Sequence, residues 1–416
     1  MKKIICFIFI SLAVLFIPCR AFGWGVATHA YFADELGKKY GVHDLEMMVY
    51  GAMAPDMFNL EFDLEGNDYL HHQTHYNFMK VSENASGTRQ QAFAAGFTSH
   101  NDSCGVDYTA HHDGRTTPGK GYIITKVEIL TPVLIDQVLP IVIDIIGVSS
   151  DLAERLAEEI APSLTELFVE TAVDLMIKRH KKPSIGTLML QSAQFTDLEI
   201  DSLLVAAYAE DYAAVSGITS DEAGEIITGI ELEYRAIIRQ HGETLSKPEK
   251  EVIPLLAEKA AEISEAYLKN VMGGFTLPVP PEITTVYEEF LLDYAIPAVE
   301  VDYSAEIAAT LAYLEEQMFP VHVGDTPAAS EYILCRNYPN PFNSATMIEY
   351  FLPDQSHVKI TVYNSLGQKV AVLVDTVKPE GNHSIIWNAA GMASGIYFCR
   401  IEAGEYTAVR KMQLVR

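Results

Sequence analysis

The sequence predicts a mainly α protein, an all-helical domain followed by a small C-terminal β-sandwich, and three observations carry that prediction. Across 24–316 apolar residues recur at spacings of three and four, with few alternating stretches. After the segment Val323-Gly-Asp-Thr-Pro-Ala-Ala the pattern changes to strict alternation rich in Val, Ile, Thr and Tyr. Between Trp24 and His112 lie eight of the thirteen histidines, His29, His43, His71, His72, His75, His100, His111 and His112, a density that packing does not explain. Neutral imidazole is the commonest protein ligand for zinc, and Asp and Glu complete hydrolytic sites.

Residues 1–23 have the three parts of a secretory signal: Lys2 and Lys3, an apolar run from Ile4 to Ile17, and small residues Ala21 and Gly23 before the cut. The run is too short to span a bilayer comfortably. Phe16, Ile17 and Pro18 are poor residues for lipoprotein processing at Cys19. Cleavage after Gly23 makes Trp24 the new amino terminus, and a free α-amino group can itself bind metal. The mature chain is long enough for about two domains, placed here at 24–325 and 326–416.

Charge divides the two. Residues 24–329 carry 18 basic against 49 acidic side chains, a formal −31, whereas 330–416 is nearly balanced. So acidic a domain repels nucleic acid and anionic membranes unless bound cations invert the field locally. Only Cys104, Cys335 and Cys399 survive leader removal, too few for a disulfide scaffold; Cys335 and Cys399 either pair or remain buried thiols.

Within the acidic part, helices are predicted over 150–178, 197–216, 221–241 and 247–272, with turns at Ser246-Lys-Pro-Glu249 and Pro278-Val-Pro-Pro281. The apolar stretch 122–149 is broken by Lys126, Glu128, Asp136, Pro140 and Asp144. It reads as a buried helix, or as a lid or lipid-facing surface, and not as a membrane span.

Four segments carry the candidate ligands. They are "WGVATH" with Trp24 and His29; "GAMAPDMFNL" with Asp56, followed by "YLHHQTHYNF" with His71, His72 and His75; "AAGFTSHNDSCGVDYTAHH" with His100, Asp102, Cys104, Asp107, His111 and His112; and "ELFVETAVD" with Glu166, Glu170 and Asp174. On one continuous helix His100, Cys104, Asp107 and His111 would form a single stripe. Glu166, Glu170 and Asp174 form an i, i+4, i+8 carboxylate row in an apolar helix, an arrangement that buried carboxylates tolerate only with compensating cations. The remaining histidines read as surface or core residues, one of His71 and His72 as the partner that orients His75, and Asp174 as a carboxylate supporting the ligands.

In the last 80 or so residues, "NYPNPFNSAT", "VYNSLGQKV" and "GIYFCRIEAG" with its "RKMQLV" ending closely resemble the C-terminal sorting domain of type IX secretion substrates. That resemblance implies export through the outer membrane of a Gram-negative bacterium, with the type IX machinery as partner, then release or attachment at the surface.

The four ligand segments, in their order over roughly 24–180, resemble the zinc-dependent phospholipase C family, including the amino-terminal domain of glycosylphosphatidylinositol-specific phospholipase D. A more distant likeness is to single-strand-specific zinc nucleases, which also begin with a ligand Trp and a His five residues on. The family resemblance implies a site for up to three Zn2+. The amine and carbonyl of Trp24 with His29 would hold one. Asp56, His75 and His100 would hold a second, with Asp107 bridging the two. His111 and Glu170 would hold a third, beside Glu166, which stands where many members have His. Family members place an Asp four residues after the His corresponding to His100, where this chain has Cys104. Either Asp107 arrives in place through a local insertion or Cys104 substitutes as thiolate, and the spacing Asp107-x-x-x-His111 favours Asp107.

The expectation is a secreted, monomeric zinc phosphodiesterase that hydrolyses phospholipids at a membrane surface, with Asp56 binding metal and orienting or deprotonating water. The alternatives are a zinc nuclease, which the −31 charge disfavours, and a non-catalytic surface protein with degraded metal sites.

Overall fold

In the computed structural model the described residues are 24–414, apart from 60–66, 77, 147–149, 197, 272–280, 319–332, 339–341, 353–354, 365–367 and 405. The predicted leader, the start of the turn at Pro278 and the boundary placed at 325/326 lie outside them. Two compact units part between Glu315 and Glu316.

The first unit is helical: α1 Val26–Tyr40, α2 Leu45–Met53, α3 Asn67–Tyr76, α4 Met79–Asn84, α5 Gly87–His100, α6 Val106–His111, α7 Tyr122–Ile146, α8 Ser150–Met176, α9 Ile185–Ser192, α10 Glu199–Ser216, α11 Ser220–Leu245, α12 Glu249–Val271, α13 Pro281–Glu300 and α14 Tyr303–Met318. A 3-10 turn, Ala54–Phe58, continues α2, and a π turn, Ile177–Lys181, continues α8. Local signals set several ends. Asp44 Oδ1 accepts from Met47 N at the start of α2, and Thr219 with Glu222 forms a capping box on α11.

Two glycines fix the closest helix contact. A Cβ on Gly51 would stand 2.1 Å from the Phe93 carbonyl oxygen, and one on Gly96 would stand 1.9 Å from that of Met48. Backbones of α2 and α5 therefore touch, as they can only where both faces lack a side chain. That contact brings the last residue of α5, His100, beside the carbonyl of Ala52.

Among the described residues, helix α7 buries Tyr122, Ile123, Val127, Leu130 and Leu134 and exposes Ile129 and Val133, so the first half of the predicted buried helix presents one buried and one exposed face. A buried polar network lies across α2 and α11: Glu231 accepts from Tyr50 Oη at 2.6 Å and from Arg235 Nε at 2.9 Å, and Arg235 also reaches Asp201. Next to it Tyr234 Oη donates to the Met53 carbonyl at 2.7 Å, which pins the 3-10 turn that carries Asp56.

Among the described residues the second unit holds seven strands: β1 Ile333–Tyr338, β2 Ala345–Leu352, β3 Ser356–Asn364, β4 Lys369–Lys378, β5 Gly381–Asn388, β6 Gly395–Ala403 and β7 Tyr406–Leu414. They form two antiparallel sheets, ordered β1-β2-β5 and β4-β3-β6-β7. Ile348, Tyr350 and Trp387 of the first sheet share one core with Val358, Ile360, Tyr397 and Ile401 of the second, so the unit is a sandwich. Cys399 is a buried free thiol on β6, which removes the Cys335–Cys399 pair from the two readings of these cysteines.

Candidate metal centre

Four side chains from four elements converge. Asp56 sits on the 3-10 turn, His75 on α3, His100 at the end of α5 and Asp107 on α6, and one potential ligand atom from each lies within 4.8 Å of all the others. His100 Nε2 is 2.9 Å from Asp107 Oδ2 and 3.4 Å from Asp56 Oδ1. His75 Nε2 is 3.7 Å and 3.5 Å from the same two oxygens. Ligands about 2.1 Å from a tetrahedral ion are separated by roughly 3.4 Å, so these four atoms are spaced as the corners of one coordination shell.

Each imidazole is turned by its other nitrogen. His100 Nδ1 donates to the Ala52 carbonyl at 2.8 Å, and His75 Nδ1 contacts the His71 carbonyl at 3.0 Å. A carbonyl only accepts, so the proton belongs on Nδ1 and the Nε2 lone pair faces Asp56 and Asp107. Lone pairs facing carboxylate oxygens repel unless a proton or a cation lies between them. His100 Nε2 and Asp107 Oδ2 are buried and make no hydrogen bond. Without a cation the conflict is relieved by charge. Burial opposes the ionisation of His100, yet Asp107 and Asp56 outweigh it and push its pKa well above the ordinary value. Burial likewise opposes ionisation of Asp56, but His100 and His75 hold it well below the carboxylate range.

Asp107 faces two ways. Its Oδ1 is 3.0 Å from His29 Nε2 and accepts from Trp24 N at 3.3 Å. Trp24 itself is sealed in: its ring stacks on Tyr122 at 5.3 Å and its Nε1 donates to Thr109 Oγ1 at 2.9 Å. Both ring nitrogens of fully buried His29 lack hydrogen-bond partners.

A third group borders these. His111 Nε2 is 3.5 Å from Glu166 Oε1 on α8, and Glu170 follows one turn on. Each glutamate has a buried Oε1 without a hydrogen bond. Burial and the neighbouring Glu166 charge push Glu170 well above the carboxylate range. His111 Nδ1 is held by Asp102 Oδ1 at 3.0 Å, and Asp102 also engages Tyr76 Oη and His112 Nε2.

Of the nine sequence-predicted residues, Asp56, His75, His100 and Asp107 form one cluster whose donor set fits a divalent cation; Trp24 and His29 adjoin it through Asp107, His111 pairs with Glu166, and Glu170 lies one turn further along α8. The single helical stripe from His100 to His111 is corrected. Helix α5 stops at His100 because the Asn101 side chain accepts from Ser103 N and Cys104 N, competing with the helix for those donors. The resulting turn swings Asp107 inward and leaves Cys104 beside Asn101. His112 is half exposed, unlike buried His111. His71 orients His75 through its backbone carbonyl, and its ring packs against the His75 ring with centroids 4.1 Å apart. Asp174 supports the site at one remove, accepting from Ala27 N, Thr28 N and Thr28 Oγ1 at the start of α1. Sequence reasoning missed Asn59, although its Nδ2 donates to Asp56 Oδ1 at 2.8 Å from three residues further on, at the end of the 3-10 turn, and Asp102, a candidate ligand in the sequence, instead holds Tyr76, His111 and His112.

The architecture is that of an exported protein whose helical unit carries a buried His/Asp centre. Residues 336–415 match the family described as the secretion system C-terminal sorting domain, so the sandwich is a type IX sorting domain and the protein is exported to the cell surface or secreted. No curated protein and no solved structure matches the chain. Among the described residues no helix is long and apolar enough to cross a membrane.

Proposed function

We propose that the helical unit is a zinc-dependent phosphodiesterase of the phospholipase C type. The observation that carries the reading is the set of Nδ1-anchored imidazoles whose Nε2 atoms converge on Asp56 and Asp107 with cation spacing. Asp56, His75, His100 and Asp107 would hold one zinc, Trp24 and His29 with Asp107 a second, and His111 with Glu166 and Glu170 a third cation. Mixed His and carboxylate ligation favours a catalytic over a structural zinc. When bound, such cations neutralise phosphoryl oxygens and acidify water, which is what a negatively charged phosphodiester needs.

The chain's own groups prepare that site. Asn59 and the Tyr234–Met53 hydrogen bond fix the Asp56 carboxylate. Held far below the carboxylate range, Asp56 serves as ligand and orienting acceptor and is a weak base. The order of the ligand segments, resembling the phospholipase C family, makes phospholipid the substrate class and a membrane surface the place of action. The test is the mature chain from Trp24, zinc-loaded, on phosphatidylcholine vesicles. Chelator-sensitive phosphocholine release is expected, and choline would move the cleavage to the other side of the phosphate. A zinc-loaded protein that releases neither overturns the phospholipid reading.

A further inference from the structure

The three donor groups differ in kind. Around Asp56 and His100 two imidazoles face two carboxylates, and Asp107 carries the imidazole of His29 and the Trp24 nitrogen on its other oxygen. The group on α8 is different. It offers one imidazole nitrogen, His111 Nε2, 3.5 Å from Glu166 Oε1, with Glu170 one turn further along α8; the two glutamates are 4% and 6% exposed and keep buried Oε1 atoms without a hydrogen bond. Asp102 adds a further carboxylate behind His111, with its oxygens already engaged by Tyr76, His111 and His112.

Donor type sets relative cation preference. Imidazole suits zinc, and carboxylate oxygen suits harder ions such as Mn2+. An all-oxygen cage of six to eight ligands would suit Ca2+, but His111 breaks that pattern, whereas Mn2+ accepts nitrogen and oxygen together. Zinc outranks Mn2+ at any given site of this kind, so discrimination rests on how far it outranks it at each position. Replacing imidazole by carboxylate narrows that margin at the α8 position alone.

Resting on the metal-centre reading, we propose that the protein is heterometallic: the positions built on His75, His100 and His29 retain zinc, while the His111–Glu166–Glu170 position exchanges zinc for a harder, oxygen-preferring divalent cation of the Mn2+ class. Glu166 is the residue that sets the difference, since it supplies the second carboxylate.

The experiment is competition on the full mature chain. Zinc-loaded protein is dialysed against excess Mn2+, then zinc and manganese are counted by elemental analysis and bound Mn2+ is read by electron paramagnetic resonance. Two zinc and one manganese per chain are expected. Glu166→His should return the count to three zinc with loss of the manganese signal, and Glu166→Gln should lose the manganese signal while two zinc remain. Three retained zinc without manganese in the parent protein, or manganese displacing zinc at every position, overturns the inference and leaves the zinc centre standing. A chain that binds neither metal overturns the metal-centre reading and this inference with it.

Discussion

Substituting Asp174 tests how the amino-terminal helix is held on the site. Its carboxylate lies at the start of α1 and accepts from Ala27 N at 3.0 Å, Thr28 N at 2.8 Å and Thr28 Oγ1 at 2.7 Å, all buried. The fit is close enough that a Cβ on Gly25 would meet the carboxylate at 2.6 Å. Asp174→Ala strands three buried donors, each costing about 1–3 kcal/mol, and removes a negative charge from a helix N-terminus. The removed carboxylate no longer has to be desolvated, which offsets part of the loss, so a net destabilisation of about 3 kcal/mol is expected. For a unit of this size that is a fall in Tm of roughly 5 °C. Asp174→Asn keeps an acceptor for both Thr28 donors and faces Ala27 N–H with an N–H of its own, so about half of the loss is expected. Because the next residue along α1 is His29, the proposed metal centre predicts that the alanine variant also loses the cation assigned to Trp24 and His29 and keeps the one assigned to His75 and His100. Thermal unfolding with elemental analysis measures both, and a Tm within about 1 °C of the parent with an unchanged zinc count would refute the reasoning.

Burial pushes Asp174 up to about 6, giving stability that is present at low pH and lost as pH rises through 6; burial pushes His241, 3.9 Å away, down to about 4, giving stability that is present above its unfolded pKa and lost as pH falls toward 4. The opposed trends flatten the parent curve in metal-free protein, and Asp174→Asn should unmask a loss of about 3 kcal/mol on acidification across that window, read by urea unfolding. If the proposed centre holds, Asp107→Asn should cost both cations assigned to its two oxygens, with stoichiometry as the readout. Gly96→Ala should destabilise by at least about 2 kcal/mol, because the Met48 carbonyl cannot yield, and a neutral Tm would contradict the α2–α5 contact. One residue added before Trp24 should weaken the cation bound by its amine; unchanged zinc affinity would remove Trp24 from the site. Cys399, 1% exposed and with its thiol pushed up to about 12 by burial, should resist alkylation until the sandwich unfolds, as peptide mapping would show.

Helices and strands were legible because their periods are written in the chain: the 3.6-residue pattern through α8, α10, α11 and α12, and the period of two along β6, where Tyr397, Cys399, Ile401 and Ala403 are buried in alternation. The identity of the candidate ligands was legible for a chemical reason, since buried carboxylate rows and crowded histidines are costly unless a cation compensates them. Spacing failed between His100 and Asp107, where a helical projection presumes the helix continues. The Asn101 side chain ends it, a competition between one side chain and the backbone that periodicity does not register.

Sequence by itself determined the two-part architecture, the export signal in the sandwich and the residue types available for metal. Only the tertiary structure decided that Asp107 and not Cys104 enters the cluster, that Asp107 turns one oxygen to His100 and the other to His29, and that Asp174 clamps α1 instead of joining the ligands. Those outcomes depend on which backbone carbonyls and amides from distant segments arrive beside each side chain. Ala52 aims His100 because two glycines let α2 and α5 touch, and no local pattern in the chain records that approach.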